Sequence, residues 1–453
     1  MRDASSFNSI PAMFNALAEK RKTLPLFRKR YGKELHTCTW HDAREQVQRI
    51  AAGLIRIGLE HGDRVAIMAD NGLCYSFCDL AIQAIGCIVV PIYTTLAAGE
   101  IRHIITDSGS RLIIVGVEAG VPRVKEALAS VETPPEWMLM RKAEACSSGD
   151  DHLLSTLMET EPGDEELRLV EERTAGLNHD DLSCIIFTSG TTGPPKGVML
   201  SHGNLLFNVE ASLHAIPLQE GDLVLSFLPM SHVFERSMGF CAALAVGATI
   251  HYARSLATVT HDFAECAPST AMTVPRFLEK LHDRALSAIQ TAKPLTRNVA
   301  RAALALRMKE VKKKRLGERV PLWVNAFSRP ARRVLKPIRD NLGGRLKFLV
   351  SGGAALSVDL WDFFEAVDIT VIQGYGLTET SPVITVNRLD RNRPASVGLP
   401  LHNVQVRLAE DFEIEVKGPS IMKGYWNNEK ATRDVFTDDG WFKTGDIGSI
   451  DRL

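Results

Sequence analysis

Cysteine is scarce in this sequence, and no two cysteines have the spacing of a structural metal site. The 453 residues contain 8 cysteines, none of which forms a C-x-x-C pair. Cys74 and Cys78 are separated by three residues, and no second pair completes a zinc-binding set. The spacing therefore does not predict a structural zinc site, and the composition excludes a small disulfide scaffold. Cysteines within apolar stretches, such as Cys87 and Cys241, predict reduced core residues of a cytosolic protein.

An excess of charge and a long hydrophobic run are also missing. Lys and Arg number 53 against 54 Asp and Glu, so the net charge of -1 gives no general reason to bind nucleic acid. The N-terminus has no apolar core of a secretory signal. The longest uncharged window, 80–99, contains Gln83 and Pro91 and predicts a buried helix followed by a strand, not a membrane span. We expect a cytoplasmic protein, with peripheral contact at the inner face of the membrane left open.

The remaining composition is that of an ordinary globular protein of two to four domains, with 45% apolar and 24% charged residues. Predicted strands and helices alternate between residues 40 and 116, which favours βαβ units and a mainly parallel sheet. We predict an α/β fold with a first α/β subdomain over 1–180 and a second over 181–395. Alternating apolar and polar residues at 404–408 and 412–416 predict an antiparallel hairpin within a small, barrel-like β subdomain over 396–453.

Two charged segments interrupt this pattern. Residues 150–181 are strongly acidic and predict a solvated connection or excursion, with a loop at 146–151. Residues 297–347 contain 16 Lys and Arg against three acidic residues, which predicts a basic helical excursion. Its densest part, 307–315, is expected to be an exposed helix. This helix is either a solvated face or a surface for an anionic membrane or a long-chain anionic substrate.

The most informative stretch is Thr188 to His202, directly after an apolar strand at 184–187. Glycines let backbone N–H groups approach a polyanion, hydroxyls add donors, and a lysine adds positive charge. A phosphate-binding loop is therefore predicted, although Pro195 and Gly197 around its lysine exclude the Walker A pattern. The predicted phosphate-binding residues are Thr188, Ser189, Gly190, Thr191, Thr192, Gly193 and Lys196.

Two further glycine-rich turns follow apolar strands, at 351–356 and 373–382. Ligands of open α/β sheets bind at this end of the strands. Tyr375, between two glycines, can offer its ring to a flat base, and Glu379 offers a hard oxygen to a divalent cation.

Two isolated polar residues carry weaker signals. Asp446, in the short turn 444–448, suits the vicinal hydroxyls of a ribose. His232, in the stretch 228–236, is more typical of a core histidine, but it can also border an apolar pocket.

Together, TSGTTGPPKG, LPMSHVFER, SGGAAL, QGYGLTET, GPSIMKGYW and WFKTGDIG, in this order, resemble the motifs of the AMP-forming, adenylate-forming synthetase superfamily. The resemblance runs from about residue 10 to the last residue. The form of LPMSHVFER and the long basic segment before SGGAAL look most like the long-chain fatty acid–CoA ligase branch.

The resemblance implies that a fatty carboxylate attacks the α-phosphate of ATP, and that CoA then displaces AMP from the acyl-adenylate. ATP, Mg²⁺ and CoA are therefore the expected co-substrates and cofactor. The expected catalytic residues are Lys196, Thr378, Glu379 and His232, with Glu379 holding Mg²⁺. The expected nucleotide contacts beyond the phosphate loop are Gly353, Ala354, Gln373, Gly374, Tyr375, Gly376, Thr378 and Asp446. The acyl pocket is expected to be bordered by His232, Val233 and Phe234.

Complete members of the superfamily continue past the TGDIG turn into a hinge and a small C-terminal domain with a catalytic lysine. The chain ends at Leu453, so we expect that domain to be absent and turnover by this chain alone to be weak. Three alternatives stay open: a ligase for an aryl or short acid, an adenylation domain that loads a carrier protein, and a nucleotide-binding module without turnover. Acyl length and oligomeric state are not set by the sequence.

Overall fold

The computed structural model of the chain describes residues 3–139, 152–188 and 193–451. The α-helices in these ranges are α1 Ile10–Lys20, α2 Trp40–Arg56, α3 Leu73–Ala84, α4 Ala98–Ser108, α5 Val121–Leu128, α6 Leu154–Glu159, α7 Asp164–Gly176, α8 His202–Ala215, α9 Ala242–Val246, α10 Val259–Cys266, α11 Pro275–Thr291, α12 Pro294–Arg315, α13 Leu322–Asp340, α14 Val358–Ala366 and α15 Glu429–Asp434. A π-helical segment, Glu235–Cys241, leads directly into α9.

The strands in the same ranges form four sheets. They are β1 Pro25–Tyr31, β2 Glu34–Thr39, β3 Arg64–Met68, β4 Ile88–Pro91, β5 Leu112–Val115, β6 Glu136–Leu139, β7 His152–Leu153, β8 Leu182–Thr188, β9 Lys196–Ser201, β10 Leu223–Ser226, β11 Thr249–Tyr252, β12 Met272–Thr273, β13 Leu349–Ser351, β14 Val371–Gly376, β15 Val383–Val386, β16 Leu399–Pro400, β17 Gln405–Leu408, β18 Glu413–Lys417, β19 Gly424–Tyr425 and β20 Phe442–Ile447.

Three of the sheets combine parallel strands with one antiparallel edge, and the fourth, β17-β18-β20, is wholly antiparallel. The strand orders are β19-β9-β8-β4-β3-β5-β6-β7, β12-β13-β14-β15-β16, β10-β11-β1-β2 and β17-β18-β20. Strands β3 to β8 pair in parallel, and so do β12, β13 and β14. The predicted α/β fold with mainly parallel sheets is confirmed, and β17 and β18 form the predicted antiparallel hairpin.

The division of the chain at residues 180 and 395 stays a prediction, and the sheets connect its parts. Strand β1 pairs in parallel with β11, and β4 pairs with β8, so both pairs join the first predicted subdomain to the second. Strand β19 adds to the edge of the large sheet beside β9. The C-terminal segment therefore contributes to the sheet that carries the predicted phosphate loop.

Local sequence explains where α8, a wall of the candidate site, begins. Ser201 and Asn204 form a reciprocal cap, in which the Asn204 N–H donates to Ser201 Oγ at 3.1 Å and the Ser201 N–H donates to Asn204 Oδ1 at 3.0 Å. The Asn204 amide also donates to the carbonyls of Pro419 and Ile421, at 2.8 and 2.9 Å. One side chain thus starts α8 and holds the segment that leads to β19.

The prediction of a solvated connection or excursion over 150–181 is only partly correct for its described part. Helices α6 and α7 occupy most of it, and Val170 and Thr174 of α7 are buried. The Thr174 hydroxyl donates to the carbonyl of Ala84 at 2.8 Å. The number of acidic residues did not indicate a helix, because the few apolar positions of α7 share one face while its carboxylates face solvent. The loop predicted at 146–151 lies outside the described residues.

The basic segment is the antiparallel pair α12 and α13, and the prediction of an exposed helix at 307–315 is only partly correct. Arg307, Glu310 and Val311 are buried, while Lys312 and Lys314 are exposed. The Arg307 guanidinium donates to the Ala366 carbonyl at 3.1 Å and to Asp368 Oδ1 at 2.9 Å. Arg307 therefore fastens α12 to the end of α14, which the charge density of the sequence did not reveal.

The window 80–99 folds as predicted into the end of α3 followed by β4. Within the described residues, no helix combines the length and the apolar character needed to cross a membrane.

Candidate nucleotide and acyl site

The predicted phosphate loop joins two strands that pair with each other. Strands β8 and β9 are antiparallel, and Thr188 lies opposite Lys196 in their register. The ends of the loop are therefore side by side, as a loop that surrounds a compact polyanion requires. Ser189, Gly190, Thr191 and Thr192 lie outside the described residues.

Two neighbours fix the C-terminal end of this loop. His103 of α4 donates from Nε2 to the Pro195 carbonyl at 2.9 Å. The Gly197 carbonyl accepts from the Trp426 N–H at 2.7 Å, and a Cβ at Gly197 would lie 2.7 Å from a side-chain carbon of Ile185. Only glycine fits at this position, because the neighbouring strand and the segment after β19 close over it.

Lys196 reaches a second predicted motif through an aromatic side chain. Its ammonium lies 5.0 Å from the centroid of the Tyr425 ring, within range of a cation–π interaction. The Tyr425 hydroxyl donates to Glu379 Oε1 at 2.8 Å, and burial together with the Glu379 charge raises the pKa of this tyrosine. Tyr425 thus links the phosphate loop to the predicted metal ligand.

The turn that carries Glu379 is fixed by hydrogen bonds from the Met422 backbone and from the Asn208 side chain. The Glu379 carbonyl accepts from the Met422 N–H at 2.8 Å. Asn208 of α8 donates to the carbonyls of Thr380 and Val383, at 3.1 and 2.8 Å, and accepts from the Val383 N–H at 3.2 Å. The carboxylate of Glu379 is therefore held on a rigid backbone.

A glycine is required within the same turn. A Cβ at Gly376 would lie 1.7 Å from the Pro382 carbonyl oxygen, so no side chain can be accommodated there. The backbone of β14 consequently approaches the following segment closely, and Tyr375 projects its ring beside this contact. The Tyr375 hydroxyl donates to Asp446 Oδ2 at 2.7 Å, and burial raises the pKa of this tyrosine. The predicted adenine and ribose residues are thereby joined directly.

These motifs surround a cavity of about 220 Å³. Ile216, directly after α8, and Met238 of the π-helical segment share this cavity with the predicted residues. The predicted residues that line it are His232, Val233, Phe234, Gly353, Gly374, Tyr375, Gly376 and Thr378. An apolar surface and the turns expected to hold a nucleotide therefore meet in one space.

A more open cleft of about 270 Å³ lies on the other side of the same turn. It is lined by Glu379, Tyr425 and the residues just before Asp446, and Leu377 lines both spaces. Ala354 and Gln373 line neither of them: Ala354 is exposed after β13, and Gln373 is buried in β14.

His232 is exposed at the cavity and is held in one tautomer. The Phe234 N–H donates to His232 Nδ1 at 3.1 Å, so the ring proton of the neutral form lies on Nε2. Desolvation by the surrounding protein lowers the pKa of His232. The ring is therefore neutral near pH 7 and can donate one hydrogen bond into the cavity.

Sequence reasoning missed three residues that organise the site. Tyr425 stands in the quoted stretch GPSIMKGYW, which gave a signal for its motif but none for its partner. Asn208 and His103 lie in helices, and the sequence pattern of a helix does not distinguish a polar residue with a buried partner from one that faces solvent. A further missed feature is the buried ion pair of Arg236 with Asp79, directly behind the cavity wall.

Comparison with known proteins gives a consistent assignment. The sequence model of the family described as AMP-binding enzyme matches residues 14–426. Long-chain-fatty-acid–CoA ligase FadD15 of Mycobacterium bovis is 32% identical over 432 residues, which cover 92% of this chain and 67% of that protein. Long chain acyl-CoA synthetase 7, peroxisomal, of Arabidopsis thaliana is 30% identical, over 90% of this chain and 59% of that protein. The chain thus spans about two thirds of the length of these relatives or less.

Solved structures share the fold. The N-terminal domain of FACL13 from Mycobacterium tuberculosis superposes with a TM-score of 0.72 at 23% identity, covering 98% of both chains. ATP-bound MatB from Rhodopseudomonas palustris gives a TM-score of 0.71 at 22% identity, covering 98% of this chain and 77% of that one.

Proposed function

Because the chain belongs to the AMP-binding enzyme family, we propose that it activates a fatty acid with ATP to an acyl-adenylate and transfers the acyl group to CoA, releasing AMP. The observation that carries this proposal is the single cavity in which the apolar residues Val233, Phe234 and Met238 meet the turn Gly374–Thr378. A carboxylate at that junction has its tail against apolar side chains and its head beside a nucleotide. ATP–pyrophosphate exchange that depends on an added fatty acid, measured on a version extended to the full length of the relatives, tests the proposal. No exchange with any acid would favour a nucleotide-binding module without turnover.

The charges around the loop suit an attack of one anion on another. Carboxylate and phosphate repel each other unless positive charge neutralises them, and Lys196 and the glycine-rich loop supply part of that neutralisation. The Lys196 ammonium and the Glu379 carboxylate are connected through Tyr425, so both face the region where phosphates would lie. Since no group here needs to form a covalent bond with the substrate, the residues act by positioning and by charge.

The donor set fits Mg²⁺. Glu379 offers carboxylate oxygens, which this cation prefers, and only Oε1 accepts a hydrogen bond within the described residues. Glu379 Oε2 would be available to hold the cation. The bound ion would supply Lewis-acid stabilisation of the phosphate, while Tyr425 fixes the orientation of the carboxylate.

Tyr375 and Asp446 are proposed to hold the nucleoside. The hydrogen bond between them aligns the Asp446 carboxylate beside the aromatic ring, so that its other oxygen can accept from ribose hydroxyls while the ring contacts the base. Thr378 is proposed to contact the α-phosphate region from the cavity side. Gly353 and Ala354 are proposed to lie by the adenine, with Gln373 near its amino edge.

The variant Tyr375→Phe should weaken AMP binding while keeping the aromatic surface. A hydrogen bond to a charged group is worth about 1.5–3 kcal/mol, and because this one is present with and without AMP, only its orienting effect on Asp446 reaches binding. We expect the dissociation constant for AMP to rise severalfold, up to about tenfold. Isothermal titration calorimetry measures this directly. Tyr31→Phe, which changes an exposed tyrosine of β1, is the matched control and should leave AMP affinity unchanged. Equal affinities of Tyr375→Phe and the native protein would show that the link to Asp446 does not position the ribose.

The acyl tail is proposed to pass Val233, Phe234 and Met238, with His232 beside the carboxylate. A saturated tail gains about 0.8 kcal/mol for each CH₂ removed from water, so apparent affinity should rise about fourfold per added CH₂ until the space is full. A panel of saturated acids in the exchange assay, with KM measured for each, gives the length at which the rise stops.

The size of the cavity favours a second candidate, a ligase for a short or aryl acid. Pockets for small molecules usually measure about 300–1,000 Å³, and this one measures about 220 Å³. A long tail therefore requires Met238 or Ile216 to move aside. A KM that does not fall from short to long acids, together with efficient exchange by an aryl acid, would replace the long-chain assignment. Comparing CoA with a carrier protein as the acyl acceptor tests the remaining alternative, an adenylation domain that loads a carrier protein. The proposed location is the cytoplasm.

A further inference from the structure

One side of α13 leaves large apolar side chains in solvent. Leu322, Trp323 and Phe327 are 86%, 51% and 61% exposed, and Ala326 and Pro330 are exposed on the same side. At about 100° of rotation per residue, these five side chains lie within roughly 140° of the helix circumference. We call Leu322, Trp323, Ala326, Phe327 and Pro330 the tip patch, because they lie at the end of α13 nearest the turn from α12.

The tip patch is a fixed surface, since the opposite side of α13 is packed. Val324, Ala331 and Leu335 are buried on that side. Ser328 is buried among them, and its hydroxyl accepts from Arg307 at 2.9 Å. The same arginine fastens α12 to α14, so the helical pair presents the patch from a rigid base. The exposed apolar side chains are therefore not explained by a loosely placed helix.

Positive charge surrounds the tip patch. Arg319, Arg329 and Arg333 are exposed, and in the described part of the chain none of the three forms an ion pair. The Lys309 ammonium lies 4.8 Å from the centroid of the Trp323 ring. Glu318 is the one acidic residue between 316 and 337, and it is already paired with Lys313 at 2.7 Å. The surface around the patch is therefore positively charged, and its one acidic residue is already neutralised by Lys313.

We propose that the tip patch inserts into the headgroup region of an anionic lipid bilayer, with the surrounding arginines on the lipid phosphates. Apolar and aromatic side chains flanked by Lys and Arg suit this interface, because the rings enter the boundary while the cations meet negative charge. The lipid contact therefore centres on α13 with Lys309 of α12 beside it, whereas Arg307 and Arg315 pair with Asp368 and Asp362. This inference does not rest on the proposed ligase reaction.

Vesicle sedimentation tests the proposal with the native chain and two variants. The vesicles are phosphatidylcholine alone, or phosphatidylcholine mixed with phosphatidylglycerol. The native protein should bind the anionic vesicles, and high salt should weaken this binding. The double variant Arg329→Gln/Arg333→Gln should lower the partition coefficient about fivefold for each charge removed. The triple variant Leu322→Ser/Trp323→Ser/Phe327→Ser should lower it at least about tenfold at the same salt concentration.

A matched control separates the patch from general surface changes. Leu256 and Leu389 are exposed leucines outside the tip patch, and Leu256→Ser/Leu389→Ser should bind vesicles as the native chain does. Thermal unfolding should show that every variant is folded, because only exposed residues are substituted. Equal binding by the triple variant and this control, or no vesicle binding at low salt, would overturn the proposal. The proposal would also be overturned if light scattering showed that the native chain is a dimer and that the triple variant is a monomer with unchanged vesicle affinity, because the patch would then be a dimer interface.

Discussion

Replacing Arg236 with methionine should lower the free energy of unfolding by roughly 3–5 kcal/mol. Arg236 and Asp79 form an ion pair with a distance of 2.7 Å, and both side chains are 1% exposed. Removing the guanidinium leaves the Asp79 carboxylate buried without its cation. The neighbouring acid, Glu235, does not compete for Arg236, because burial raises the pKa of Glu235 to about 8 and keeps it neutral near pH 7.

The pair also belongs to a network that crosses the molecule. Asp79 of α3 accepts from the Gln83 amide at 2.8 Å, and Gln83 in turn accepts from the Ser183 hydroxyl of β8 at 2.7 Å. Arg236 is the second residue of the π-helical segment, and both Met238 of this segment and Phe234 directly before it line the cavity. Loss of the pair should therefore disturb the cavity wall as well as stability.

Urea unfolding measures the expected loss, and a double variant identifies its cause. Arg236→Met/Asp79→Leu removes both charges and should recover much of the stability, because no unpaired charge is left buried. Arg44→Met is the matched control, since Arg44 pairs with Glu19 at 2.8 Å on the surface and should cost no more than about 1 kcal/mol. If Arg236→Met cost no more than this control, the buried pair would not stabilise the fold.

The parts of the site that could be predicted from sequence are those coded within short segments. Thr188 to Lys196 combines glycines, hydroxyls and a lysine in one stretch, and Tyr375 stands between two glycines. The residue types within each of these segments indicate what it binds, so the loop and the turn could be recognised without coordinates. Alternating helices and strands likewise predicted the parallel sheets.

The missed residues act through partners that are distant in sequence. Tyr425 binds Glu379, 46 residues away, and Asn208 binds Val383, 175 residues away. No local sequence pattern predicts which distant residue such a side chain will bind. Charge counts misled for the same reason at 150–181 and 307–315, because a count does not say which face of a helix is buried. Arg307 is buried inside the most basic stretch, since carboxylates and carbonyls from other elements surround it.

In a version extended to the full length of the relatives, the substitution Glu379→Gln should lower fatty-acid-dependent ATP–pyrophosphate exchange roughly 100-fold to 1,000-fold, the range for losing one group that stabilises charge in the transition state. The amide keeps the size of the side chain but removes the negative charge that binds the metal. The Mg²⁺ concentration for half-maximal exchange should therefore rise. Calorimetric binding of ATP without Mg²⁺ should change little, because the lost interaction involves the ion and not the nucleoside.

Two further variants make this result specific to the metal. Tyr425→Phe keeps the Glu379 carboxylate and removes only the hydrogen bond that orients it, worth about 1.5–3 kcal/mol at most. It should lie between the native protein and Glu379→Gln in exchange. Glu410→Gln changes an exposed carboxylate in the turn between β17 and β18 and should behave as the native protein does. Unchanged exchange by Glu379→Gln across the whole Mg²⁺ titration would show that Glu379 is not the ligand. The family assignment would survive that result, since it depends on the sequence match over 14–426 and not on this residue.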